Sequence, residues 1–273
     1  MQPRVTATAL TILLGVAASA GADTISYYVG LDGRSTPFTA PAGIGGGDYP
    51  DQPNDGRLTL LFHHGDHFHA LGTYTYSGPS ASPVLADTNA NNRTPEVGTL
   101  LPPVQLQKGS GAFAGTWRSG LPSAWPQNLE YGNYEMRNVH SLAGVDDVTY
   151  HSSAGRWDDP FDGAQVQLEL VSATFGLNIA FGNTPTADLT AGNRWTLGQG
   201  DELFSATPTF WVAPGAPGGT YTAEFRLVDG TGRFGDSGRF FVDVAKVPEP
   251  AAAGLVLLGL MAVALGRRLT ARA

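Results

Sequence analysis

The sequence predicts an all-β protein, a β-sandwich of one lobe or two, on three observations. Charged residues are only 15% of the 273, well below the usual quarter. The 36 glycines and 19 prolines make up about a fifth of the chain and fall as turn punctuation. Between them lie short apolar, aromatic and β-branched runs, with no convincing helical period from 23 to 246. Strands at this spacing suit a sandwich, and 42% hydrophobic residues supply its core.

The elements follow in order. Residues 24–29 read as a strand and 39–56 as a Gly/Pro/Asp loop. Runs at 57–63 and 67–76, broken at Gly65-Asp66, predict a hairpin. Residues 77–110 read as a long loop, 112–118 as a strand, and 119–130 as the boundary if there are two lobes. Strands are expected at 134–139 and 145–150. Residues 165–171 alternate polar and apolar, the mark of a half-buried strand. Runs at 177–181, 207–212, 221–228 and 239–244 complete the series.

Both ends read as addresses. Arg4 precedes an apolar run at 7–17, and Ala18-Ser19-Ala20 and Ala20-Gly21-Ala22 are overlapping cleavage sites, so 1–22 is expected to be a signal peptide. The far end runs Val247-Pro248-Glu249-Pro250, then an uncharged apolar stretch 251–265, then Gly266-Arg267-Arg268 and Arg272. At 1.5 Å per residue this stretch falls short of a hydrocarbon core of about 30 Å, which makes a marginal span. The arginines would stay cytoplasmic, placing 23–246 outside. A plain C-terminal anchor is the alternative reading. The layout closely resembles the PEP-CTERM sorting signal. That resemblance implies export in a Gram-negative bacterium to the cell surface or extracellular matrix. It also implies transient membrane insertion through 251–265 and cleavage near the triplet by an exosortase-type enzyme.

Residues 23–246 carry 23 acids and 12 bases, a net charge of −11. A body this acidic excludes phosphate backbones as partners and favours cations as ligands. The absence of cysteine excludes disulfides, thiolate metal sites and a cysteine nucleophile.

Four of the six histidines lie in one heptapeptide, His63-His64-Gly65-Asp66-His67-Phe68-His69; the others are His140 and His151. On a strand, His67 and His69 share a face and offer two nitrogens to one ion. With the turn at 65–66, either His63 or His64 lies beside that pair, and Asp66 is placed to orient an imidazole. His140 is a candidate fourth ligand, and His151 a weaker one in an exposed turn. Imidazole ligation suits zinc first, with copper or nickel as alternatives.

The segments His64-Gly65-Asp66-His67-Phe68-His69 and Gly72-Thr73-Tyr74-Thr75-Tyr76-Ser77-Gly78-Pro79 resemble the signature region of a PEP-CTERM family controlled by the zinc-uptake repressor. Asn92-Arg93-Thr94-Pro95-Glu96, Val139-His140-Ser141-Leu142-Ala143-Gly144 and Ser153-Ala154-Gly155-Arg156-Trp157 support the resemblance. It implies zinc handling outside the cell under zinc limitation, with His64, His67, His69 and His140 as ligands. Arg93, Glu96, Arg156 and Trp157 read as structural, in charge pairs and as a core aromatic.

Enzyme templates fit poorly. Position 73 is threonine where a cupin has glutamate, and no Gly-x-Ser-x-Gly, His-Glu-x-x-His or phosphate loop occurs. The pairs Asp146-Asp147 and Asp158-Asp159 do not have EF-hand spacing. The expected function is therefore non-catalytic zinc capture or storage. One alternative is a glycan-binding or structural matrix sandwich with Trp117, Trp125 and Trp157 on exposed loops. The other is a metal-dependent hydrolase.

Overall fold

The computed structural model describes residues 27–35, 49, 52–96, 103–119, 134–182 and 184–247, and of His64 the backbone alone. The predicted signal peptide, the sorting segment beyond Val247 and all but the first residue of the predicted boundary 119–130 lie outside these. Strands hold 43% and helices 8%, in several sheets, so the protein is all-β. No helix among the described residues is long and apolar enough to cross a membrane.

A five-stranded sheet carries the histidine hairpin. Its order is Ser205–Ala206, Met136–Asn138, Tyr27–Asp32, Arg57–His64 and His67–Leu71. Tyr27–Asp32 is buried at every residue because strands flank both its edges, parallel on one side and antiparallel on the other. The largest sheet runs Arg194–Gln199, Gln165–Ala173, Gly219–Asp229, Phe240–Lys246 and Arg93–Thr94, with Val104–Gln105 also paired to Phe240–Lys246. A third sheet runs Asn178–Ala180, Thr209–Val212, Trp117–Arg118 and Gln107–Lys108.

The sheets share one apolar core. A chain of aromatic contacts runs from Phe62 through Tyr27 and Tyr134 to Phe210, then to Phe225 and Phe240, so each sheet contributes rings to its neighbours. Edge and tilted ring pairs of this kind contribute about 0.5–1.5 kcal/mol each beyond their area. The core cluster draws on residues from both sides of 119–130.

Four local expectations need correction. The sequence predicts a strand at 145–150, but Asp147–Tyr150 is a helical turn. The Asp146 carboxylate accepts the Thr149 N–H, and Asp147 accepts the Gly144 N–H, so these acids cap a turn and override the β-branched pattern. Residues 112–118 hold a strand only at Trp117–Arg118, behind the 3₁₀ turn Gly111–Phe113. Among its described residues, the loop 77–110 contains four short strands, one of them Val84–Ala86, which pairs with Thr75–Ser77. The hairpin's second strand stops at Leu71 rather than reaching 76. The chain breaks away at Gly72, whose φ is +68° and where a Cβ would meet the Gly238 carbonyl oxygen at 2.4 Å.

Candidate metal centre

The hairpin register decides which histidines meet. Phe62 pairs with His69, His63 with Phe68 and His64 with His67, so the turn is Gly65-Asp66. Gly65 holds φ +66°, a conformation a side chain rarely adopts, and both turn residues are exposed. Pleat parity puts His67 and His69 on one face, together with the register position of His64. His63 falls on the opposite face, packed at ring-centroid distances of 6.2 Å from Tyr28 and 6.0 Å from Phe68.

The two rings on the shared face converge. His67 Nε2 and His69 Nε2 are 3.0 Å apart. Each ring turns its other nitrogen to a carboxylate: His67 Nδ1 to Asp66 at 3.0 Å, His69 Nδ1 to Glu96 at 2.5 Å. When those Nδ1–H groups donate, the neutral rings leave two lone pairs facing each other, a repulsive arrangement until a cation lies between them. Two nitrogens of a tetrahedral zinc at 2.0–2.1 Å stand about 3.3 Å apart, so a slight opening of the pair would admit the ion. Carboxylates behind ligating imidazoles fix the tautomer and raise basicity. The donor chemistry therefore fits a zinc-class ion.

The remaining predicted residues have other surroundings. His63 Nε2 lies 2.9 Å from the Gly65 carbonyl, 3.3 Å from Thr149 Oγ1 and 3.9 Å from Asp146. His151, the exposed C-cap of Asp147–Tyr150, donates from Nδ1 to Asp158 at 2.7 Å. His140 sits in the 3₁₀ turn Val139–Leu142, hydrogen-bonded through Nδ1 to the Tyr150 hydroxyl at 2.7 Å and packed on Phe161. Its Nε2 is buried without a partner. Among the described residues, no group of three or more His, Cys, Asp or Glu side chains forms a metal cage.

Burial holds the His140 imidazole below its ordinary pKa, against a smaller opposing pull from Asp162 and Asp158. A base whose folded pKa is depressed stabilises the fold above its unfolded value and loses that stability as pH falls from there toward the folded value. The unfolding midpoint should therefore drop between about pH 7.5 and about pH 5.5, and drop less in His140→Gln. Equal drops in thermal scans of both proteins would contradict this.

Glu96 stands behind His69, a neighbour that the sequence does not indicate. The sequence reads it as structural, in a charge pair, and its partner is His69, 27 positions earlier, to which nothing in local spacing ties it. It arrives because Arg93–Thr94 pairs in parallel with Phe240–Lys246, on the other side of the core. The other residues read as structural have such surroundings too: Arg93 donates to both Asp243 oxygens at 2.7 Å, Arg156 pairs with Asp32, and Trp157 is 2% exposed. That burial corrects the expectation of Trp157 on an exposed loop. Trp117 stands on a strand under the Lys246 ammonium, and Trp125 lies outside the described residues. Compared with known proteins, the chain matches no family model, no curated protein and no solved structure.

Proposed function

We propose that this protein binds zinc, or a closely similar divalent ion, through His67 and His69, with His64 as the third ligand from its register position. The carrying observation is the 3.0 Å approach of the two Nε2 atoms with a carboxylate behind each ring. A net charge of −11 over 23–246 adds a field that concentrates cations. His140, engaged by Tyr150 and Phe161, is left out of this ligand set.

On this reading the large sheets are the layers of a β-sandwich, and the hairpin projects the ligands from its rim. The address-like ends make it an exported surface protein that captures or stores zinc where the metal is scarce.

The test is calorimetric titration of the untagged full chain with zinc, beside elemental analysis of the purified protein. Wild type should bind zinc, and His67→Ala/His69→Ala should lose that binding while keeping its unfolding midpoint. Equal stoichiometry and affinity in the two proteins would sink the assignment.

A further inference from the structure

The strand His67–Leu71 ends the five-stranded sheet, with only Arg57–His64 paired to it among the described residues. Phe68, His69 and Ala70 all line one cleft of about 690 Å³. Their side chains alternate between the two faces of the sheet, so a cleft touched by all three runs along the strand's outer edge. Its volume is that of a ligand site.

The register shows what this edge offers. In an antiparallel ladder, alternate residues turn their backbone groups toward the partner strand and the others turn them away. The Ala70 carbonyl accepts the Asn89 Nδ2–H at 3.0 Å from outside the hairpin, so Ala70 is turned to the cleft. Phe68, two residues earlier, is turned the same way, while His69 and Leu71 serve the ladder. The Asn89 amide thus occupies the place of one N–H of a further strand. Among the described residues, no backbone group bonds the Phe68 N–H, the Phe68 C=O or the Ala70 N–H. The two N–H groups recur after two residues of strand, about 7 Å, which another extended backbone reproduces.

The walls are pinned before any ligand arrives. Asn89 is held by Ala70, and Arg156 is held by buried Asp32 and lies 4.0 Å over the Trp157 ring. Walls rising beside an edge obstruct the flat edge of a second sheet but leave room for a single chain. The two sides of the edge differ in character. Gly30 shares the face of Phe68 by register, and a Cβ there would stand 3.6 Å from Trp157 Cβ, so this side is apolar. The other side carries His69 and the Glu96 carboxylate. Arg156 is already matched by Asp32, so Glu96 leaves the lining acidic, in a body of net charge −11 over 23–246.

We propose that this groove binds an extended peptide segment of alternating apolar and basic residues, as a sixth strand of the sheet. Main-chain bonds to Phe68 and Ala70 supply the affinity, and the two unlike sides of the edge supply the selectivity. The apolar side chains lie toward Phe68 and Trp157, the basic ones toward His69 and Glu96. The pairing uses backbone groups and needs no metal.

The probe is the capped, fluorescent hexapeptide Val-Lys-Val-Lys-Val-Lys, titrated with the untagged full chain in the presence of a chelator, so that its outcome is separate from that of the zinc titration. Its anisotropy should rise on binding, and Val-Glu-Val-Glu-Val-Glu should bind about tenfold more weakly or worse. In an antiparallel pairing the valine N–H groups face the edge, and in a parallel pairing the lysine N–H groups do. N-methylation of one alternate set should therefore abolish binding, and N-methylation of the other should leave it nearly unchanged. Ala70→Pro removes an edge N–H without touching the ladder, a change that edge strands tolerate, and should weaken binding about tenfold. Ala90→Trp, at an exposed position of the lining, should weaken it by bulk and serves if the proline variant fails to fold. No binding, equal binding of the glutamate peptide, equal effects of the two methylated sets, or unchanged affinity in the folded variants would each overturn the proposal. So would a dimer of the free protein that Ala90→Trp dissolves, since the groove would then belong to a second copy.

Discussion

Arg156→Ala should lower stability by about 3–5 kcal/mol, the usual cost of stranding one partner of a buried ion pair. Asp32 is completely buried, and Arg156 reaches it through Nε at 2.7 Å and through Nη2. Asp32 also accepts the Arg34 N–H at 3.0 Å, but one amide does not replace a guanidinium. The pair ties the 147–159 segment to the strand Tyr27–Asp32. The fit there is close: a Cβ on Gly30 would stand 2.9 Å from the Trp157 carbonyl oxygen, and one on Gly33 would stand 2.4 Å from Asp159 Oδ2. For a body of this size the midpoint should fall on the order of 10 °C. Replacing both partners together, Asp32→Leu/Arg156→Leu, should cost less than Arg156→Ala alone, because no charge is then left buried. Thermal unfolding of the three variants checks the order. If the double variant proves the weakest, the guanidinium matters for packing on Trp157 rather than for charge.

How much of this was legible depended on how far apart the interacting residues lie. The alternation at 165–171 marks the strand Gln165–Ala173 correctly, because its period is local. The convergence of His67 and His69 was legible for the same reason: two-residue parity on a strand requires no knowledge of the rest of the fold. The choice between His63 and His64 was not, since it turns on the hairpin register, and a slip of one residue exchanges the two faces. Asp147–Tyr150 was misread because Val148 and Thr149 favour strands, while the capping acids act through backbone bonds that composition does not display. The strand Arg194–Gln199 was missed, its exposed face being polar and its pairing with Gln165–Ala173 distant in sequence. Glu96 belongs to the same class, since its place behind His69 is a product of sheet topology.

Glu96→Gln should weaken zinc binding by about 10–100-fold, the usual effect of removing a carboxylate behind a ligating histidine. Gln keeps the size and an acceptor oxygen, so the change tests charge and tautomer control rather than packing. Asp66 offers an internal comparison. It makes the equivalent bond to His67, but its side chain is 82% exposed where that of Glu96 is 14% exposed. Solvent screens an exposed pair, so Asp66→Asn should cost much less than Glu96→Gln. Affinity should also fall on acidification in every variant, because protons compete for the imidazole nitrogens that would face the ion. Titration of wild type, Glu96→Gln and Asp66→Asn at two pH values measures all three effects. Equal losses from the two carboxylate variants would mean that burial of Glu96 adds nothing to the ligand. No loss from either would mean that the carboxylates orient the rings only in the metal-free hairpin, and the ligand set would then need to be sought elsewhere on it.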